Sequence, residues 1–285
     1  MGMKNKNKDR NVIKIGGSVL RDEESYKNEA LKVKEFAERT RGDRISIVSS
    51  AIFGETDRLL ASVLDGYIYR KEVESALRGE SDENCIDECA RKEVADSLLI
   101  GEIKSTRIFS KALRDIGVEN KVFVQGSDYP IIANTGYLKA RVDFEASKER
   151  FVEIDKEIKE RVVLFVGFGA ENKDEERVLL GRNSSDYIAA IIGSLDDRVE
   201  KVIFRKDVDG LYLNYGLSNQ SLVTNMSYDE ARELLERNPK VLHGGVLEVA
   251  NGYDILIENC NKPIGSGGTL IKDYKSFMGG DSGPD

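Results

Sequence analysis

Several short stretches of this sequence set cations and small residues where an anion could be held. The first is Val12-Ile13-Lys14-Ile15-Gly16-Gly17-Ser18, an apolar strand running into paired glycines and a serine just before a helix. Glycine lets backbone N–H groups approach a ligand with no Cβ in the way, and a helix N-terminus adds partial positive charge. Lys14 supplies a mobile point charge for phosphoryl oxygens. By itself the pattern also reads as a tight connection, and it matches neither a Walker A loop nor the dinucleotide fingerprint. The second stretch, Ser49-Ser50-Ala51-Ile52-Phe53-Gly54-Glu55-Thr56-Asp57-Arg58, ends a strand in small and hydroxyl residues before a helix that Thr56 would begin or cap. In the third, Phe165–Gly169 closes an apolar strand, and an acidic hairpin-like stretch leads to Leu180-Gly181-Arg182-Asn183-Ser184-Ser185-Asp186-Tyr187. There an Arg and an Asp four apart flank small residues at a helix start. That arrangement suits carboxylate capture beside a charge organiser, or a plain surface ion pair. Phe204-Arg205-Lys206-Asp207-Val208-Asp209-Gly210-Leu211-Tyr212 is a strand entering an Asp/Gly turn. Lys240-Val241-Leu242-His243 precedes another glycine pair, and with no partner motif His243 reads as structural.

The composition narrows the chemistry. The chain has 285 residues, a net charge of −8 and a pI near 5.1, which argues against general nucleic-acid binding. An acidic protein that binds a polyanion must place its lysines and arginines locally. No run approaches the roughly 18 apolar residues of a membrane helix. Residues 1–10 are polar and basic, a disordered lead rather than a secretory signal, and residues 273–285 read as a flexible tail. The expectation is a soluble, cytoplasmic protein without a membrane or nucleic-acid partner. Cys85, Cys89 and Cys260 form no metal-ligand pattern with His243 and read as free thiols, the first two on one face of a helix.

These stretches need a scaffold of alternating elements. Strands are expected at Asn11–Ile15, Arg44–Val48, Lys121–Val124, Val162–Val166, Val202–Phe204 and Asp254–Glu258. Helices are expected at Glu24–Arg39, from Thr56 to about Leu99, and at Ser105–Ile116, Ser185–Leu195 and Tyr228–Arg237. Strands separated by helices predict an α/β fold with a mostly parallel sheet covered on both faces, its ligands at the carboxyl ends of the strands.

In this order the segments resemble the aspartokinase branch of the amino-acid kinase family, from Val12 to Ile271. The family's opening Lys-Phe-Gly-Gly is similar to Lys14–Gly17, its Ser-Ala-Met-Gly-Gly-x-Thr-Asp to Ser50–Asp57, and its Gly-Glu-x-x-Ser helix start to Gly101–Ser105. Leu-Gly-Arg-Gly-Gly-Ser-Asp-Tyr is similar to Leu180–Tyr187 and Thr-Asp-Val-x-Gly-x-Tyr to Lys206–Tyr212. Lys-Val-Leu-His and Gly-Thr-Leu-Ile are intact at Lys240–His243 and Gly268–Ile271. The resemblance implies a three-layer sandwich in one domain, residues 11–272, with a substrate lobe over about 11–196 and a nucleotide lobe over about 197–272. It implies ATP-dependent conversion of a carboxylate, in aspartokinases that of L-aspartate, to an acyl phosphate, with Mg²⁺ arriving on the ATP phosphates and no dedicated metal ligands. It further implies a homodimer.

Carried over residue by residue, Lys14 would stabilise the transferring phosphoryl group, and Gly16, Gly17 and Ser18 would cradle phosphate. Glu102 would hold the substrate ammonium, and Arg182, Ser50 and Thr56 its carboxylates. Asp186 would orient the cationic groups. Asp207, Tyr212 and Lys240 would line the nucleotide site, Lys240 also acting in catalysis. A carboxylate is already a nucleophile at neutral pH, so the task is alignment and charge neutralisation rather than base catalysis.

The sequence departs from the family at four places. The glycine pair after Arg182 is Asn183-Ser184, Lys206 replaces a threonine, and Tyr215-Gly216-Leu217 stands where an Asp-Pro-Arg is expected. The family's Asp-x-Arg pattern is blurred around Ser127–Pro130, and the regulatory ACT domains have no counterpart, so feedback through them is not expected. Two other readings therefore stay open: a different small anionic acceptor in a specialised pathway, or a non-catalytic ligand-binding homologue.

Overall fold

The computed structural model describes residues 8–40, 42–65, 70–125, 128–134, 136–237 and 241–272. Both expected flexible ends lie largely outside them, as residues 1–7 and 273–285.

Eight strands form one sheet. In chain order they are β1 (Arg10–Ile15), β2 (Arg44–Ser49), β3 (Asn120–Phe123), β4 (Val162–Val166), β7 (Val199–Lys206), β10 (Asn225–Ser227), β11 (Asp254–Asn259) and β12 (Thr269–Lys272). Their spatial order is β10-β12-β11-β7-β1-β2-β4-β3, and every pairing is parallel except β11 with β12. Two hairpins stand apart, β5 (Gly169–Glu171) with β6 (Arg177–Leu179), and β8 (Tyr212–Leu213) with β9 (Ser221–Leu222). The central strands are apolar along their length because helices cover both faces.

Side chains alternate across the sheet and assign each helix to a layer. Ile13, Ile15, Ile45 and Ile47 pack with Tyr26 and Phe36 of α1 (Glu23–Arg39) and with Phe109 and Leu113 of α4 (Glu88–Asp115). Val12, Val48, Val202 and Phe204 face the other way. They pack with Phe151 of α5 (Phe144–Glu157), with Ile188 and Ile192 of α6 (Ser185–Leu195), and with α7 (Tyr228–Arg237) and α8 (Val246–Val249). The three-layer α/β sandwich is thus as expected. A smaller core joins α2 (Glu55–Val63), α3 (Arg70–Arg78) and the first half of α4 through Leu60, Leu77, Leu98 and Leu99.

Three expectations change. The helical region expected from Thr56 to about Leu99 is divided among α2, α3, a 3₁₀ turn (Glu83–Cys85) and the start of α4, a 28-residue helix that also takes in the helix expected at Ser105–Ile116. Its polar middle is carried inside the helix because the buried hydroxyls all find acceptors: Thr106 Oγ1 donates to the carbonyl of Glu102 at 2.9 Å, Ser105 Oγ to the carbonyl of Ser50 and Ser110 Oγ to Asn120 Oδ1 at 2.6 Å. Gly101–Ser105 is therefore mid-helix, not a helix start. Cys85 sits in a 3₁₀ turn (Glu83–Cys85) and Cys89 in the first turn of α4, so they share no helix; both are exposed and free. Finally, Arg10 belongs to β1 rather than to a lead. It is buried between Asp155 and Asp196, and Arg198 joins both carboxylates.

A second buried network lies under the α1 face. Alternation turns Arg205 of β7 and Glu258 of β11 toward α1, where Glu29 waits. The fully buried guanidinium donates to Glu29 and Glu258, each at 2.8 Å, and to the carbonyls of Cys260 and Lys262. Among the described residues no helix is long and apolar enough to cross a membrane.

Candidate active site

The parallel strands deliver their carboxyl ends to one edge of the sheet, where loops and helix starts converge. The turn after β1 approaches the loop after β2 closely. A Cβ on Gly17 would lie 2.8 Å from the carbonyl oxygen of Ala51, so only glycine fits there. The carbonyl of Gly16 accepts from Val19 N–H at 3.0 Å, closing a turn. The helix expected from Glu24 starts at Glu23, capped by Asp22, so Val19–Asp22 separate it from the turn. The turn contributes backbone and Lys14 rather than a helix dipole. In the second stretch Gly54, at φ 75°, takes the N-cap position expected of Thr56, which lies inside α2.

A cavity of about 500 Å³ opens at this edge. Lys14, Gly17, Ser18, Ser50, Thr56, Glu102, Arg182 and Asp186 all line it, so the structure brings together eight of the expected site residues. Gly16 is adjacent: a Cβ there would sit 3.3 Å from Lys14 Nζ.

Asp186, in the first turn of α6, is the charge centre. Its Oδ1 lies 2.8 Å from Lys14 Nζ and its Oδ2 2.7 Å from Lys206 Nζ, and the backbone N–H of His243 points at Oδ2 from 3.3 Å. Burial alone would raise the Asp186 pKa, but the two ammonium groups outweigh it and hold the carboxyl well below the usual carboxylate range. Asp186 does not pair with Arg182. Arg182 reaches across to Asp57 of α2 at 2.5 Å and stays one-third exposed at the cavity mouth.

Glu102 enters from α4, which is pinned to the end of β2. Ser105 Oγ donates to the carbonyl of Ser50 at 2.5 Å, and Ser49 Oγ and Thr106 Oγ1 lie 2.7 Å apart. These bonds explain the spacing from Glu102 to Ser105: the hydroxyl one turn on fixes the carboxylate at the cavity. Burial pushes the Glu102 pKa up to about 7, against the pull of the Ala51 backbone N–H and of Lys14. Its Oε2 is buried without a hydrogen-bond partner. A buried unpaired carboxylate oxygen at a cavity wall is suited to an incoming cation.

The turn accommodates both side chains that stand where glycines are expected. Asn183 adopts φ 60°, a left-handed conformation that asparagine tolerates. Ser184 Oγ turns inward to the carbonyls of Phe168 and Gly181, both at 2.9 Å, so its side chain locks the turn. Asn183 lines this cavity and a neighbouring one of about 870 Å³.

Asp207 and Tyr212 lie outside both cavities. Asp207 is exposed, and Tyr212 donates to Asp209 at 3.3 Å in a cluster where Lys262 pairs with Asp209 at 2.8 Å. Lys240 lies outside the described residues. His243 lines the cavity but serves it through its backbone. Its Nδ1 accepts from Gly245 N–H at 3.1 Å, and burial lowers its pKa.

Sequence reasoning missed Lys206, treating it as a departure. The signal was present. Val202, Phe204 and Lys206 share a strand face by alternation, the face that also carries Val12 and Lys14.

Residues 9–275 match the model of the amino acid kinase family, and the chain belongs to that family. Within it, the chain is similar to the aspartokinase of Helicobacter pylori, 28% identical over 94% of this chain and 60% of that one. It is also similar to the bifunctional aspartokinase/homoserine dehydrogenase of Buchnera aphidicola, 27% identical over 91% of this chain and 36% of the relative. It thus spans less than two thirds of either. The fold is shared with E. coli aspartokinase III in complex with aspartate and ADP, with a TM-score of 0.71 and 22% identity over 92% of this chain and 64% of that one. It is shared more distantly with carbamate kinase from Giardia lamblia, TM-score 0.59, 11% identity, over 93% of this chain and 99% of that one.

Proposed function

We propose that this protein is an ATP-dependent kinase that converts L-aspartate to 4-phospho-L-aspartate. One observation carries the reading: a single cavity joins the Lys14–Ser18 turn to Ser50, Thr56, Glu102, Arg182 and Asp186. The aspartokinase relatives support the same acceptor.

In this reading a β-carboxylate oxygen of aspartate forms a bond to the γ-phosphorus of ATP. The bond from that phosphorus to the β–γ bridging oxygen breaks, and its electron pair leaves with ADP. No proton needs to move, because the nucleophile is already an anion. Arg182, Ser50 and Thr56 hold the acceptor carboxylates, and Glu102 pairs with its ammonium. Lys14 and the Gly16–Ser18 turn hold the transferred phosphoryl group, and Asp186 fixes Lys14. Neutralising charge that develops between two anions is the main contribution such a site can make. Among the described residues no group of three His, Cys, Asp or Glu side chains could hold a metal ion. The Asp186 carboxylate is moreover committed to ammonium groups, so Mg²⁺ would come on the nucleotide phosphates, where it neutralises charge. Residues 11–196 would supply the acceptor lobe and 197–272 the nucleotide lobe, with Asp207, Tyr212 and Lys240 on the nucleotide side. Association as a homodimer and a cytoplasmic location complete the reading; sedimentation of the purified chain tests the first.

The acceptor is tested by ADP release over a panel of small carboxylates. Aspartate is expected to give the highest kcat/KM. Turnover confined to another acid would assign the acceptor to the Asn183 variation instead.

Glu102 makes acceptor binding pH-dependent. Its pKa is raised to about 7, so the free site loses its anion as pH falls through that value, while an ammonium partner favours the charged form. KM for aspartate is therefore expected to rise by about tenfold for each pH unit below 7. Steady-state kinetics between pH 5.5 and 8.5 checks this, with Glu102→Gln giving a high, flat KM over the same range.

A further inference from the structure

Where the resemblance expects threonine before Asp207, β7 ends on lysine. We propose that Lys206 is a further catalytic residue, a second ammonium that contacts the γ-phosphoryl group of ATP and works in tandem with Lys14. The inference rests on the kinase reading above and adds a residue to it.

The strands dictate the placement. β1 and β7 are parallel neighbours, with Lys14 paired to Phe204 and Ile15 to Arg205. Lys206 therefore follows level with Gly16, one step nearer the carboxyl edge. Alternation sends Lys14 and Lys206 to the same face, toward the start of α6. There the two oxygens of Asp186 divide the cations between them, Lys14 at 2.8 Å and Lys206 at 2.7 Å. The lysine side chains are only 7% and 14% exposed, and both line the cavity that holds Gly17 and Ser18.

One carboxylate cannot neutralise two ammonium ions. The trio keeps a net positive charge in a poorly hydrated wall, which Glu102 across the cavity and the exposed Asp207 offset only from a distance, so repulsion between the ammonium groups is only partly relieved. Burial and the neighbouring Lys14 both lower the Lys206 pKa, as that arrangement requires. A ligand carrying several negative oxygens relieves the imbalance. An ammonium has three N–H donors, so each lysine keeps donors to spare after its bond to Asp186. The γ-phosphoryl group offers three equatorial oxygens, on which charge is spread while the acceptor oxygen bonds to phosphorus and the bridging oxygen leaves with the electron pair. Lys206 transfers no proton in this step; it donates hydrogen bonds to those oxygens.

A purely structural Lys206, acting only by holding Asp186 so that Asp186 holds Lys14, would add nothing once Lys14 is methionine. K206M placed in the Lys14→Met background is therefore expected to lower analogue affinity further, and no further loss there would overturn the role. The full-length K206T, K206M and K206R variants separate the two roles by binding of Mg–ADP and of the Mg-bound β,γ-imido analogue of ATP, measured by calorimetry. The expected result is a loss of about tenfold or more in analogue affinity for K206T, with ADP affinity held within about twofold. The kcat falls about a hundredfold at an unchanged aspartate KM, and K206R recovers most of the analogue affinity. K206M keeps the apolar stem, so it supplies the same readout should K206T fail to fold. Equal loss of both nucleotides, unchanged analogue binding, or an effect confined to aspartate KM would overturn the role. Wild-type protein that binds neither nucleotide would sink the kinase reading itself, and this inference with it.

Discussion

Lys14→Met is expected to lower kcat by about a hundred- to a thousandfold with little change in stability. The reasoning starts from position. Lys14 leaves β1 one residue before the Gly16-Gly17 turn, is nearly buried, and is tethered to Asp186 at 2.8 Å. Its charge is thus fixed before substrate arrives, and no reorganisation is needed when charge develops on the phosphoryl group. Methionine preserves the stem and its packing but removes the charge. Asp186 keeps Lys206 at 2.7 Å, so no carboxylate is left wholly unpaired. Aspartate KM should change little, because the acceptor is held by other residues. Single-turnover phosphoryl transfer, compared with thermal unfolding of the same sample, checks both halves of the expectation.

Arg205→Met should do the opposite. Arg205 is wholly buried between Glu29 and Glu258, and removing it strands two buried carboxylates. Loss of one partner from a buried ion pair costs about 3–5 kcal/mol. Lys32, at 2.7 Å from Glu29, and the N–H of Gly265, at 2.8 Å from Glu258, offset only part of this. Urea unfolding should show the loss as a lower midpoint at an unchanged slope. Activity per folded molecule should hold, because Arg205 faces α1 while the cavity opens beside α6. Lysine would not rescue it: the guanidinium reaches four acceptors from a planar fork that an ammonium cannot copy. Residues 205 and 206 are chain neighbours with opposite expected effects, and strand alternation alone separates them.

That contrast also marks how far the sequence could be read. The sandwich was legible because apolar strands and amphipathic helices alternate, and the turn after β1 because Lys14 and two glycines follow a strand. What escaped depended on contacts between distant segments. The helix expected from Ser105 is the second half of α4, and the polar Ser105-Thr106 pair sits inside it because the end of β2 supplies partners. Lys206 looks foreign in a motif compared along one strand. It acquires a role only when β7 lies beside β1 and α6 presents Asp186 to both. Asn183 and Ser184 both stand where the resemblance expects glycine, yet one lines the cavities and the other locks the turn from inside. Linear spacing carries no information about that difference, which is set by a left-handed φ and two carbonyl acceptors.

The most direct measurement is to trap the product. Purified protein is incubated with ATP, Mg²⁺, L-aspartate and hydroxylamine, and aspartyl hydroxamate is quantified. An acyl phosphate reacts with hydroxylamine, so transfer to the aspartate carboxylate predicts hydroxamate that depends on both ATP and aspartate and is lost in Lys14→Met. ATP- and Mg²⁺-dependent turnover of another acceptor with no aspartate-dependent hydroxamate, or no hydroxamate at all from folded wild-type protein, would contradict it.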